Sequence, residues 1–444
     1  VEQRNLKTVR VKKHDLLPKF YEILPFALTS AQERVIAEIS DDLAKPLPMM
    51  RLVQGDVGSG KTIVALAAAT IMAQSGGQTV LMAPTDTLAQ QHFAKLKPRC
   101  DKMGIVCAIL TGRDKGTGRR EKLISLKSGR TKLAIGTHAL FSNDVEYRDL
   151  GLVIIDEQHR FGVAQRAAIC SRGDNPDLLA LSATPIPRTL SMTVYGDMDI
   201  SIVNEKPAGR LPIITTKLPS ELVGDLAGRL LKQVASGAKV FWVCPLVEES
   251  IDVDAAAAEA RYDSLKKHFP GAGLVHGKMD KKQRDQVMEE LANPDSKMRL
   301  LISTTVIEVG IDVPTATIIV IENPERFGLP PLHQFRGRCG HGDKQSFCIL
   351  MYGDRTTDAG MKRLEVLCES DDGFLIAEQD LMMRGTGELL GTKQSGWIQY
   401  NFVDYREHRD LFKFATMDAR ENMQSPEWTK DLLYIFDRGD IIKA

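Results

Sequence analysis

Two short segments carry the residues whose types and spacing can do chemistry. Gly55-Asp56-Val57-Gly58-Ser59-Gly60-Lys61-Thr62 fits G-x-x-x-x-G-K-[ST], a loop whose glycines let successive backbone N–H groups turn inward around phosphate oxygens. Lys61 supplies a point charge for the terminal phosphates, and the Thr62 hydroxyl a ligand for Mg²⁺. Asp156 and Glu157 close the apolar run Leu152-Val153-Ile154-Ile155. There Asp156 is suited to hold the metal through water, and Glu157 to orient or deprotonate the attacking water. A phosphate loop alone fixes only nucleotide binding. Joined to the two carboxylates, it describes a site that hydrolyses ATP.

The elements around these segments read as α/β. The apolar runs predict strands over 80–83, 133–136, 152–155 and 178–182, with helices over 61–74 and 87–100. Alternating strands and helices predict a parallel sheet covered on both faces, with ligands at the carboxyl ends of the strands. A second round begins near Ile213, with strands over 240–244, 273–276, 300–304, 318–322 and 347–351 and helices over 225–236 and 281–291. The Pro- and Gly-bearing stretch 205–212 reads as the linker between the rounds. The second round has no phosphate loop of its own, which predicts a site completed across an inter-lobe cleft. From Asp371 onward the pattern is largely helical and polar, a smaller appendage.

Composition narrows the class. A chain of 444 residues is too long for one ordinary core, and 26% charged with 43% hydrophobic residues is the balance of a soluble globular protein. The formal net charge is zero, so any nucleic-acid contact must come from local basic surface. The apolar run 64–73 is far short of a membrane span, and no signal-peptide pattern opens the chain. The seven cysteines include no C-x-x-C pair and no zinc spacing, which reads as buried, reduced thiols in a cytoplasmic protein. The basic stretch 4–19 reads as a solvated linker, with a contact to nucleic-acid backbone as the alternative.

Several further residues are candidates. Gln32, ahead of the loop, has an amide able to pair with an adenine edge, although by itself it reads as a solvated helix residue. Ser182-Ala183-Thr184-Pro185 follows a buried strand and places two hydroxyls near the carboxylates, where they could relay the state of the γ-phosphate. A plain turn before Pro185 is the alternative. His276 ends a strand, and Trp242, Trp397 and Trp428 are scattered as packing residues rather than as a base-stacking platform. No His/Cys cluster supports a catalytic metal beyond the nucleotide's Mg²⁺.

The order Gln32, Lys61, Ala83-Pro84-Thr85, Asp156-Glu157-Gln158-His159, Ser182-Ala183-Thr184 resembles the first motor lobe of superfamily 2 helicases and translocases. The run from Ser303-Thr304-Thr305 through Gly310-Ile311-Asp312-Val313-Pro314 resembles that superfamily's motif V. Gln334-Phe335-Arg336-Gly337-Arg338-Cys339-Gly340-His341 resembles its motif VI. Met49 through Asp56, Asp156 through Val163 and Ala183 through Thr189 narrow the resemblance to the bacterial RecG family of branch-migration helicases. Gly373-Phe374 through Asp380-Leu381, and Arg384-Gly385-Thr386-Gly387-Glu388 through Gln394-Ser395-Gly396, resemble the TRG segment that this family shares with the Mfd translocases. Gln158-His159 after the carboxylates fits RecG better than Mfd.

The resemblance implies two tandem RecA-like lobes, 26–206 and 207–368, after a linker at 1–25 and before a TRG and helical region at 369–444. It implies a monomeric ATP-driven motor on duplex DNA that remodels forks and Holliday junctions, with a single-stranded DNA-binding protein as a further partner. ATP would sit between the lobes, against Gln32, residues 55–62, Gly310 and Asp312, with Arg338 as the finger that neutralises charge developing on the γ-phosphoryl group. DNA backbone would meet Thr85, Thr137, Thr304, Thr305 and Arg188, contacts that track phosphates without reading sequence. Ser182, Thr184, Arg384 and Gln394 would couple hydrolysis to movement. One departure stands out: the family's motif VI ends in Gly-Arg-x-Gly-Arg, and here His341 takes the last position. Nothing in the chain corresponds to the family's N-terminal wedge domain. Opening on Val1, the sequence reads as part of something longer or as a motor without its junction reader.

Overall fold

The computed structural model describes residues 7, 17–157, 175–184, 198–207, 209–245, 251–293, 295–304, 313, 315–340, 342, 344–389, 411, 414, 415 and 418, of which 251–254, 281 and 384–389 by backbone alone. The chain divides into two compact units, Val1–Pro185 with Asp199–Ile376, and Ile186–Met198 with Ala377–Ala444. The first unit holds two parallel sheets, each at the centre of a RecA-like lobe.

In the first lobe, β1 (Met50–Gly55), β2 (Gln78–Met82), β3 (Cys107–Leu110), β4 (Leu133–Gly136), β5 (Leu150–Ile155), β6 (Asp177–Ser182) and β7 (Asp199–Val203) form a sheet of order β3-β4-β2-β5-β6-β1-β7. Among the described residues its α-helices are α1 (Pro18–Ile23), α2 (Ser30–Ala44), α3 (Lys61–Gln74), α4 (Asp86–Met103) and α5 (Gly116–Lys127). The register sets Gln54 beside Ser182 and Met82 beside Ile155, so the phosphate loop after β1, the carboxylates after β5 and the hydroxyls after β6 emerge along one sheet edge. This is where ligands bind in open parallel sheets.

Each element has a local cause. Thr29 and Gln32 form a reciprocal capping box that starts α2. Helix α3 is apolar on all sides and buried from Val64 to Met72, the mark of a helix enclosed in the core. Alanines at 65, 67, 68 and 69 let neighbouring elements approach it closely. Val153, Ile154 and Ile155 of β5 are 0% exposed, and burial of such side chains stabilises by about 1.5–3 kcal/mol each.

In the second lobe, β8 (Ile214–Pro219), β9 (Lys239–Val243), β10 (Ala272–Val275), β11 (Leu300–Ser303), β12 (Ala316–Glu322) and β13 (Phe347–Tyr352) form a sheet of order β10-β11-β9-β12-β13-β8. It carries α6 (Val223–Ala235), α7 (Ile251–Leu265), α8 (Lys281–Ala292), α9 (Leu329–Arg336) and α10 (Asp358–Glu369), and α11 (Gly373–Leu389) follows. Trp242 is fully buried in this lobe, its indole N–H donating to Glu322 Oε1 at 2.5 Å, as a packing residue should be. Trp397 and Trp428 lie outside the described residues.

At Lys7 the structure departs from the solvated linker read from the basic residues of 4–19, of which only 7 and 17–19 are described. Lys7 is buried, its ammonium 3.0 Å from Asp177 Oδ1 and donating to Leu43 O at 2.8 Å. Phe20 of α1 lies in the first lobe's core. A run of lysines reads as solvated only until a buried carboxylate far along the chain takes one of them in. Strand β8 opens the second sheet where the repeat was expected to start, while β1, β3 and β7 extend the first sheet beyond the strands singled out by pattern. Of the described cysteines all are free, and all but the half-buried Cys368 are buried. Among the described residues, no helix is long and apolar enough to cross a membrane.

Candidate nucleotide site

The loop 55–62 is shaped by two glycines with left-handed backbone. Gly60 (φ +87°) is the N-cap of α3, and a Cβ on it would lie 2.2 Å from Gln32 Nε2. Gly58 (φ +78°) lies against Arg210, where a Cβ would come within 1.6 Å of Nη1. The loop therefore needs glycine both for its backbone and for what packs on it.

Lys61 is folded back on the loop, its ammonium donating to Gly55 O at 2.6 Å and Asp56 O at 2.7 Å. Burial lowers its pKa, and Glu157, Asp156 and Asp56 oppose this without cancelling it. Phosphate oxygens can replace those two carbonyl acceptors with charged ones. Thr62, half-buried in the first turn of α3, is the hydroxyl next in line.

At the end of β5, the two oxygens of Asp156 have different donors. Oδ1 accepts the Glu157 N–H at 3.0 Å, and Oδ2 meets His92 Nε2 at 2.7 Å. Burial pushes the Asp156 carboxyl up, but His92, Lys61 and the Glu157 N–H outweigh it and hold the group below the usual range. Glu157 has φ +52°, a left-handed conformation worth about 1–3 kcal/mol of strain for a non-glycine residue. Among the described residues no group of three or more His, Cys, Asp or Glu could hold a metal by itself. Thr62 and Asp156 are the side chains that could share a Mg²⁺ with a nucleotide's phosphate oxygens and water, an oxygen-only set that suits this ion.

Gln32 spends its amide on protein groups. Its Oε1 accepts the Thr29 N–H at 3.0 Å and its Nε2 donates to Ser59 O at 2.8 Å, so it ties the start of α2 to the phosphate loop. Reading an adenine edge would require exchanging one of these bonds. The Ser182 and Thr184 hydroxyls lie 2.9 Å apart after β6. Thr85 caps α4 through Leu88 N, and the buried Thr137 donates to Asp86 Oδ1 at 3.3 Å. Thr304 is buried after β11. Thr137 and Thr304 are only 3% and 2% exposed, so in this arrangement their hydroxyls face protein rather than a solvent groove. Arg188, Thr305, Gly310, Asp312, His341, Gln394 and the side chain of Arg384 lie outside the described residues.

The second lobe reaches the loop through residues the sequence reading did not single out. His333 Nε2 is 2.9 Å from Asp56 Oδ1, and its Nδ1 is 2.8 Å from Arg336 Nη2. Arg336 is 2% exposed and donates to Leu367 O and Ser370 O, which commits it to holding α9 against the end of α10. Arg210, in the inter-lobe linker, bridges Val57 O at 3.0 Å and Gly340 O at 2.9 Å. Arg338 is half-buried, the residue after the cleft-lining Gly337. A small open cleft lies among Asp56, Val57, Arg210, His333, Arg336 and Gly337. His92 and His333 gave no sequence signal, because their partners are 64 and 277 residues away. The capping box at Thr29 and Gln32 is readable from its spacing.

Comparison with known proteins agrees with this geometry. Residues 29–193 match the DEAD/DEAH box helicase family and residues 223–343 the helicase conserved C-terminal domain. The chain is 45% identical over 427 residues to the ATP-dependent DNA helicase RecG of Haemophilus influenzae, covering 94% of this chain and 61% of that protein. It is 46% identical over 423 residues to the RecG of Escherichia coli K12, with the same shares. It superposes with a TM-score of 0.77 and 40% identity on the structure of RecG bound to a three-way DNA junction, covering 91% of this chain and 53% of that one. The chain thus spans about three fifths of the length of these curated relatives. With tandem lobes, a phosphate loop in the first and a second lobe closing on it, the chain carries the two helicase domains in order and is similar to RecG helicases over more than nine tenths of its length.

Proposed function

We propose that this chain is the ATP-driven motor of a RecG-type DNA helicase, a translocase on duplex DNA that remodels stalled forks and Holliday junctions. The observation that carries the reading is the junction of the phosphate loop with the second lobe, made by His333 of α9 on Asp56 and by Arg210 between Val57 O and Gly340 O. A nucleotide entering there meets both lobes at once, so its hydrolysis state can set their separation.

In this reading Lys61 and the loop amides hold the phosphates, and Thr62 and Asp156 hold Mg²⁺, which supplies charge neutralisation on the phosphoryl oxygens. Glu157 orients the attacking water, and Arg338 neutralises charge developing on the γ-phosphoryl group. Gln32 supports the loop. Thr85, Thr137, Thr304, Thr305 and Arg188 track DNA backbone once the lobes open. Ser182 and Thr184, with Arg384 and Gln394, couple the lobes to DNA movement. The segments 1–25, 26–206, 207–368 and 369–444 serve as linker, first lobe, second lobe and TRG region. The motor works as a monomer in the bacterial cytoplasm on branched DNA, with a single-stranded DNA-binding protein as a further partner.

Duplex- and fork-stimulated ATP hydrolysis tests the proposal. The chain should show it, and Lys61→Ala or Glu157→Gln should abolish it. A chain that binds ATP and DNA yet shows no turnover above those variants would instead be a nucleotide-dependent binding protein.

A further inference from the structure

His92 lies outside every motif that identified the site, yet it touches the carboxylate expected to hold the metal. Its Nε2 is 2.7 Å from Asp156 Oδ2, and the two side chains are only 10% and 14% exposed. Because an ionised carboxylate only accepts, Nε2 carries the hydrogen. The other oxygen is already fixed by the Glu157 N–H. Two donors on opposite oxygens lock the carboxylate plane, whereas one would leave it free to swing about its last torsion. The neighbouring inward positions of α4 are Ala89, Leu96, Cys100 and Met103. An apolar side chain at 92 would fill the same space without the cost of burying an imidazole. What the histidine adds is the donor.

We propose that His92 is a positioning residue: it aims Asp156 at the Mg²⁺–nucleotide and fastens that carboxylate to α4. The inference rests on reading this site as one that hydrolyses ATP. Outer donors of this kind orient metal ligands, and their loss typically costs about 10–100-fold in metal affinity or activity.

The test uses the full chain, mant-ADP fluorescence titrated with Mg²⁺, and ATP turnover. His92→Ala should need about 10–100-fold more Mg²⁺ for half-maximal nucleotide binding, and kcat should fall with KM little changed. His92→Gln, whose Nε2 reaches the same oxygen, should restore the wild-type Mg²⁺ dependence. His92→Asn, too short to reach, should not. If His92→Ala is too unstable to purify, the Gln–Asn contrast carries the test. Wild-type Mg²⁺ dependence in His92→Ala, or equal behaviour of the Gln and Asn variants, would overturn the proposal. A wild-type chain without Mg²⁺-dependent nucleotide binding would overturn the underlying reading of the site, which is a different result.

Discussion

His333 of the second lobe donates its Nε2–H to Asp56 of the phosphate loop across 2.9 Å. The direction follows from Arg336, whose guanidinium can only donate and which lies 2.8 Å from His333 Nδ1. Nδ1 must therefore accept, and the hydrogen sits on Nε2. Asp56 also accepts the Gly373 N–H at 3.3 Å, at the start of α11. One carboxylate of the loop is thus bonded to α9 of the second lobe and to the first residue of α11.

Removing this link should slow turnover more than it weakens nucleotide binding, because Lys61 and the loop amides are untouched. His333→Ala loses a hydrogen bond to a charged group, worth about 1.5–3 kcal/mol. At least a tenfold drop in kcat is expected at about 1.4 kcal/mol per decade. Parallel ATPase assays and mant-ADP titrations check this; an unchanged kcat would remove His333 from the coupling path.

The carboxylate end of the link is robust to ordinary pH. Burial pushes Asp56 up, but the bonds from His333 and Gly373 and the charge of Lys206 bring it below the usual carboxylate range. Its folded pKa is lowered, so its stabilisation is complete above the unfolded value of about 3.9 and is lost as pH falls through the lower folded value. Asp56→Asn should therefore remove a contribution whose pH dependence lies wholly in the acid range. Urea melts of both proteins should differ by a constant amount between about pH 5 and 8 and converge only below about pH 4.

Asp177 has the opposite sign. Burial raises its pKa to about 6, and the Met49 N–H and Lys7 only partly offset this. A carboxyl whose folded pKa exceeds the unfolded one favours the fold while protonated. That contribution is full below about pH 4 and is lost as pH rises through about 6, with an upper size of about 3 kcal/mol at 1.36 kcal/mol per pKa unit. Wild-type stability measured against Asp177→Asn should fall across that window and level off above it. Flat, parallel pH profiles would show that Lys7 keeps Asp177 ionised throughout.

Much of the first lobe was legible because its signals are local. Lys61–Gln74 follows from a loop that must open a helix and from a continuous apolar run, and β5 from an apolar strand ending in two carboxylates. The second sheet's strands from β9 to β13 follow from the same kind of run. The relationships that join elements were not legible. Lys7 with Asp177, His92 with Asp156 and His333 with Asp56 join residues far apart in sequence, and a lone lysine or histidine has no pattern that names its partner. Gln32 shows the intermediate case: Thr29-x-x-Gln32 signals a cap, but its second bond to Ser59 O needs the fold.

The contact of Gly58 with Arg210 predicts a non-additive pair. Gly58→Ala meets both a left-handed φ of +78° and a guanidinium where its Cβ would stand. The backbone part costs about 1–2 kcal/mol and is not relieved by moving Arg210. Gly58→Ala should weaken mant-ATP binding strongly, and Gly58→Ala with Arg210→Ala should regain part of the loss. Identical affinity of the single and double variants would show that Arg210 simply swings aside.

Motif VI yields the last prediction. Arg336 is consumed by Leu367 O, Ser370 O and His333, so it is unsuited to meet a phosphoryl group. That leaves the half-buried Arg338 as the arginine of the pair, with His341 where the family has a second. An arginine is charged throughout the physiological range and presents a forked donor, whereas a histidine with an unperturbed pKa of about 6.5 is largely neutral at pH 8. His341→Arg should therefore raise ATP turnover, and the gain should widen from about pH 6 to 8 as the wild-type histidine loses its charge. Arg338→Ala should abolish turnover in both backgrounds, since a single arginine finger is worth about 10³–10⁵ in rate. Equal turnover of wild type and His341→Arg across that pH range would mean that Arg338 alone completes the site.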